Sequence, residues 1–165
     1  MNAEARHHLY AMISGFKTAL LITHAAGDGL HARPLAVADV PADGEILFAT
    51  SSSSPKVAEI EADARVLVTF QNGAQFACIS GTARLSRDRA RLQQLWTESW
   101  RIWYPAGVDD PTLCLLAVEP SEAEYWDDAG VKSLKHLWRA VTAYLRGSRL
   151  STEAAHAHAK VDLKS

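Results

Sequence analysis

The chain has 165 residues, of which 48% are apolar and 22% charged, a globular balance large enough for one domain with a real core. A formal net charge of -2 gives no bulk electrostatic case for a nucleic-acid partner. No apolar stretch reaches the length of a membrane span, and MNAEARHHLYAMISGF lacks the apolar segment and cleavage site of a signal peptide, so a cytoplasmic protein without a membrane partner is expected. Cys78 and Cys114 sit in apolar stretches without metal-type spacing and read as buried, reduced thiols.

In chain order, Leu9, Met12 and Ile13 lie near helical spacing and predict a short helix over 2–14. FKTALLITHA (16–25) and LHARPLAVADV (30–40) are extended patterns joined by the turn formers AGDG, which predicts a hairpin. Asp43-Gly44 marks a turn before a third strand, EILFAT (45–50), and a helix over 55–62 interrupts the sheet. RVLVTFQN (65–72) and QFACISGTARL (75–85) flank Asn72-Gly73, a strong hairpin signal. Ser86 is placed to cap a helix over 87–103, whose Leu92, Leu95, Trp96, Ile102 and Trp103 share a broad face. After the loop YPAGVDDP, TLCLLAVEP (112–120) reads as a buried strand that SEAEYWD (121–127) extends. Residues 131–147 predict a second amphipathic helix, and the tail STEAAHAHAKVDLKS has little to bury and is expected to fray.

Consecutive short strands with tight turns predict a mainly β fold, a six-to-seven-stranded antiparallel barrel with peripheral helices. Residues 1–130 would form the barrel domain, with 131–165 packed on it.

The segment ATSSSSPKVAEI (49–60) carries the first chemical signal. Ser54-Pro55 is a good helix start, because proline at the first helical position loses only an N–H that would be unpaired anyway. Lys56 in the first turn opposes the helix dipole, which makes sense if an anion lies between them. By itself the segment reads as a solvated cap with a surface lysine. Arg33 changes this: it stands in a strand broken by Pro34, adjacent in the sheet to the hydroxyl-rich helix start. Together they make a candidate site for a phosphate-bearing ligand.

HARPLAV, GEILFATSSSSPKVAEIEADARVLVTF, ISGTARL and VEPSEAEYWD, in this order and spacing, resemble the pyridoxamine 5′-phosphate oxidase-like flavoproteins, most of all their general-stress-protein branch. The resemblance covers about residues 5–130. It implies a split β-barrel that forms a homodimer with FMN at the subunit interface. It places Arg33, Pro34, Leu35 and Ala36 against the flavin ring, and Ala49 and Thr50 at the ring and ribityl chain. Ser54 and Lys56 match the phosphate-binding turn, Gln75 or Phe76 a strand that reaches the partner's flavin, and Trp126 the tryptophan that approaches across the dimer. Two departures stand out. Pro55 occupies the place of a second cation, and DDAGVKSL replaces the Arg-x-His segment, which argues against pyridoxamine phosphate as substrate.

The implied function is an FMN-dependent oxidoreductase of unspecified substrate and small-molecule reductant, linked to stress response. The alternatives are a non-catalytic flavin-binding stress or interaction protein with a basic C-terminal helix as its working surface, or a split barrel using deazaflavin or haem. Haem would call on His24 or His31, although His31 reads as a satisfied strand histidine. Trp96, Trp100, Trp103 and Tyr104 read as core and interface packing, the other reading being a lid near the flavin. His156 and His158 read as a fortuitous tail pair rather than a metal site, and no metal is expected.

Overall fold

Alternation along the chain builds the sheet. In β1 (Thr18–His24), Ala19, Leu21 and Thr23 are buried while Thr18, Leu20 and His24 face out. The computed structural model describes residues 3–27, 29–42, 44–127 and 157–163. Its elements in order are α1 (Ala3–Ile13), β1, β2 (Leu30–Asp39), β3 (Ile46–Ser51), α2 (Pro55–Ala62), β4 (Arg65–Asn72), β5 (Gln75–Ser86), α3 (Arg89–Leu95), 3-10 turns at Glu98–Ile102 and Gly107–Asp109, β6 (Leu113–Asp127) and β7 (Ala157–Asp162).

All pairings are antiparallel, in the order β3-β2-β1-β4-β5-β6-β7, and β3 also pairs with β6. That last pairing closes six strands into the expected barrel and leaves β7 appended to β6. Gly73, at φ +59, turns β4 into β5 as the Asn-Gly signal predicts.

β3 and β6 explain two core clusters. Ile46 and Phe48 point into the barrel with Leu21, Val68, Phe70, Ile79, Leu116 and Val118. Leu47 and Ala49 lie on the other face with Leu92, Trp100, Tyr104, Leu113 and Leu115. Burial on both faces accounts for the unbroken apolar runs ILFA and LCLLAV. Each such side chain contributes about 1.5–3 kcal/mol on leaving water.

The barrel is open at one place. β2 pairs with β3 only at Val37↔Phe48 and Asp39↔Leu47, with a register shift between them. Leu30–Ala36 therefore pairs with β1 alone. The Val37 amide donates to Lys17 O toward β1, so alternation puts the missing Pro34 donor on the unpaired side, where it costs no ladder bond.

Three expectations change. The helix over 87–103 breaks at Trp96 (φ −56, ψ 134), and Asp88 rather than Ser86 caps α3 by accepting from the Arg91 amide. Unbroken, it would carry Trp100 and Tyr104 along a straight axis; broken, both fold back onto β3 and β6. The tail supplies β7 instead of fraying, with Val161 and Leu163 buried. The helix predicted at 131–147, most of the 131–165 extension, and His156 lie outside the described residues. No helix among the described residues is long and apolar enough to cross a membrane.

Candidate functional site

The unpaired stretch of β2 faces the end of β3 and the start of α2. Ser54 has the extended conformation of an N-cap (φ −72, ψ 140), and Pro55 follows as the first helical residue. The Ser54 hydroxyl makes no capping bond; it accepts from Lys56 Nζ at 2.6 Å. Lys56 Nζ also donates to Thr50 Oγ1 at 3.1 Å. Thus the helix start and the strand end grip one ammonium.

That ammonium is not on the surface. Lys56 is 8% exposed, which overturns the reading of a surface lysine. Burial holds its pKa below the usual lysine value, and the nearby Arg33 charge lowers it further. Among the described residues, hydroxyls are its hydrogen-bond partners and no carboxylate pairs with it. The Glu59 carboxylate offsets this charge only from a distance, so burying it is costly, and an anion in direct contact would relieve the cost.

Arg33 is held beside this charge by a residue that sequence reasoning missed. Glu59, one helical turn beyond Lys56, accepts from Arg33 Nη2 at 2.8 Å, from Thr23 Oγ1 at 2.6 Å and from His31 Nδ1 at 2.6 Å. The Thr23 bond, then those of His31 and Arg33, hold its pKa down to about 2 against the opposing effect of burial. The missed signal is an acidic residue on the strand-facing side of α2, opposite a strand arginine. Arg33 Nη1 is buried and has no hydrogen-bond partner among the described residues. His31 is satisfied by Glu59, as expected of a strand histidine.

A groove of about 430 Å³ runs over this region. Pro34, Leu35 and Ala36 of β2 line it with Thr18 of β1 and with Ala49, Thr50 and Ser51 of β3. Ser54 and Lys56 stand at a polar end, and Trp100, Trp103 and Tyr104 form the remaining wall. Burial pushes the Tyr104 phenol up to about 12, so it is neutral and a hydrogen-bond donor at physiological pH. Cys114 lies buried behind Thr50, donating to its carbonyl at 3.5 Å, and burial pushes its thiol up and away from reactivity.

Of the expected contact residues, the groove brings together Pro34, Leu35, Ala36, Ala49, Thr50, Ser54 and Lys56. Arg33 stands at its margin, tied to Glu59. Gln75, Phe76 and Trp126 do not line it; they share adjacent rungs of β5 and β6, Gln75↔Asp127 and Phe76↔Trp126. There Gln75 Nε2 donates to Asp127 Oδ1 at 3.1 Å, and His8 Nε2 donates to Asp127 Oδ2 at 2.8 Å. Neither His24 nor His31 lines the groove, and no cluster of metal-ligating side chains occurs among the described residues.

The family model for pyridoxamine 5′-phosphate oxidase-like proteins matches residues 4–151. The chain belongs to that family. Among solved family-type structures, a protein assigned to general stress protein 26 from Jannaschia sp. CCS1 superposes with a TM-score of 0.78 over 97% of this chain and 99% of that one, at 21% identity. At that identity the likeness establishes the fold. The general stress FMN/FAD binding protein of Xanthomonas citri is 30% identical, with a TM-score of 0.65 over 79% of this chain and 97% of that one. Protein bli-3 of Neurospora crassa is 24% identical over 129 residues, and the match spans 71% of this chain but only 62% of that protein's length. The split barrel of this family is thus the frame that carries the groove.

Proposed function

We propose that this chain is an FMN-binding protein of the general-stress type that acts as a flavin-dependent oxidoreductase. The observation that carries the reading is the buried Lys56 ammonium, gripped by the Thr50 and Ser54 hydroxyls in an apolar groove and, among the described residues, ion-paired with no carboxylate. The residues fit the group. A monophosphate would meet Lys56, the Ser54 and Thr50 hydroxyls and the start of α2. Arg33, whose Nη1 has no partner among the described residues, adds positive potential where Pro55 supplies none. Pro34, Leu35 and Ala36 offer an apolar strip for a flat ring, and Ala49 beside them leaves room for it. A bound flavin supplies one- and two-electron transfer, while the chain's residues orient it and exclude water. The FMN/FAD-binding character of the Xanthomonas citri protein supports the choice of ligand.

We also propose a homodimer, in which the partner's Gln75, Phe76 and Trp126 would complete the site. Their place on β5 and β6, away from the groove of their own chain, supports this. The free Cys78 and Cys114 support a reducing, cytoplasmic setting.

The test begins with the purified protein's visible spectrum and its titration with FMN and riboflavin. Lys56→Ala is expected to weaken FMN by about 10- to 100-fold, the value of a charge-assisted contact, and to leave riboflavin unchanged. A colourless protein that binds neither flavin defeats the proposal. With FMN bound, anaerobic reduction by NADH or NADPH is expected on an oxidoreductase, whereas flavin that no nicotinamide reduces favours a binding protein. Sedimentation checks the dimer, and Trp126→Ala is expected to loosen FMN while leaving the Lys56 grip intact.

A further inference from the structure

The aromatic wall of the groove is built for more than packing. Trp100 and Tyr104 are 5% and 9% exposed and belong to the core cluster over β3 and β6. Trp103, between them in sequence, is 66% exposed yet lines the groove. Ile102 beside it is 76% exposed, so the turn presents two large apolar side chains to water. An exposed indole gains nothing from hydrophobic burial in the chain as it stands.

The backbone that carries Trp103 is held firmly. Its amide donates to Trp100 O at 2.9 Å, closing the 3-10 turn. Arg101 straps that turn, with Nε donating to Glu98 Oε2 at 2.7 Å and Nη1 to Pro105 O at 3.4 Å. Gly107, at φ +75, packs directly on this guanidinium: a Cβ there would lie 3.3 Å from Arg101 Nη1. Arg89 fixes the far side of the loop, donating to Val108 O at 3.1 Å and to Asp110 O at 3.2 Å. Lys56 and Ser54, the proposed phosphate grip, line the same groove. A ligand anchored there by a phosphate must extend its body along the apolar walls.

We infer that Trp103 is a ligand-contacting residue that stacks on the planar heteroaromatic ring of the phosphate-bearing ligand, so that one subunit supplies both the phosphate grip and an aromatic cover. The inference rests on the flavin reading and deepens it: β2 offers the strip beneath the ring and Trp103 the cover. Aromatic rings pair through their faces independently of the exact heterocycle, which suits a flavin ring. The break at Trp96 is then functional, because a continuous helix would not place residue 103 over the groove.

The experiment compares two ligands that share the ring and differ in the phosphate. Trp103→Ala is expected to weaken FMN and riboflavin alike, by about tenfold, the scale of one lost stacking contact. Trp103→Phe is expected to restore most of that affinity. Lys56→Ala is expected to weaken FMN alone, so the two ends of the site separate. Both flavins binding Trp103→Ala within twofold of wild type overturns the inference while leaving the flavin reading intact. Wild-type protein that takes up neither flavin overturns both. A Trp103→Ala protein whose sedimentation changes, with flavin affinity per folded chain unchanged, assigns the indole to a subunit contact and overturns the inference as well.

Discussion

At the scale of single residues, the site is a balance of charges that the chain cannot settle by itself. Glu59 neutralises Arg33 and is satisfied three times over, by Thr23, His31 and Arg33. Lys56 receives only hydroxyl oxygens from the described residues. The two residues therefore make opposite predictions. The Glu59 carboxyl titrates at about 2 in the folded chain against an ordinary value of 4.5, so its stabilisation is complete above pH 4.5 and is lost as pH falls toward 2. Glu59→Gln is expected to lower the urea midpoint at neutral pH and to flatten its fall between pH 4.5 and 2, as followed by far-UV dichroism across that range. Lys56 has its pKa lowered by burial, so folding bears a cost in the pH range where the group is protonated. Lys56→Met is expected to stabilise the flavin-free protein by about 0.5–2 kcal/mol, the usual yield of a single stabilising substitution. The same change is expected to abolish preferential binding of FMN over riboflavin. A loss of stability in thermal unfolding of the flavin-free variant would show that Lys56 is structural. The sequence singles out Lys56 but not its burial, and it does not single out Glu59. Lys56 looks like a surface residue because a lysine one position past a proline cap is normally solvated. Its seat against Thr50 at the end of β3 is a tertiary contact that no local pattern encodes.

At the scale of elements, the strands were legible because alternation and turn residues are local signals. β4 begins and ends where RVLVTFQN does, and α2 begins at the proline that predicts it. The break in the 87–103 helix was not legible. Its apolar residues continue at helical spacing through Trp96, Trp100 and Trp103, and only tertiary packing of Trp100 and Tyr104 on β3 and β6 selects the interrupted form. The register shift at Ser80/Gly81 is a second such feature. It lets β5 and β6 bend, so that one end of β6 pairs with β3 and the other with β7. Gly81 is there because the strands approach closely: a Cβ would fall 2.3 Å from Glu119 O, a backbone atom that cannot swing away. Gly81→Ala is expected to cost about 3 kcal/mol, at the upper end for a single substitution, through forced separation of β5 and β6. Urea unfolding measures this. A midpoint equal to wild type would mean that the bulge relaxes freely.

At the scale of the whole molecule, the barrel followed from its turns, whereas its edge did not. Six strands close through β3–β6, which removes two edges, yet the second half of β6 extends beyond the ring with β5 on one side only. β7 covers that flank, pairing Glu122↔Asp162 through Asp127↔Ala157. AHAKVD is a weak strand by itself, with one β-branched residue, and it is ordered by the edge it meets rather than by its own propensity. Val161 and Leu163, 3% and 5% exposed, join the main core near Tyr125 and α1. Their burial is worth about 1.5–3 kcal/mol each, a large part of the 5–15 kcal/mol that holds a domain together. Deleting residues 157–165 is therefore expected to lower stability by about 3–6 kcal/mol in urea unfolding. Amide exchange is expected to accelerate in Ala123–Asp127, which loses its cover, and to stay slow in Leu113–Val118, which keeps β3 and β5 as neighbours. The groove is built from β2, β3, α2 and the Trp100–Tyr104 turn, so the folded fraction of the shortened chain is expected to retain the Lys56 grip on a phosphate. Unchanged exchange in Ala123–Asp127 would show that β7 rests on the barrel without securing it.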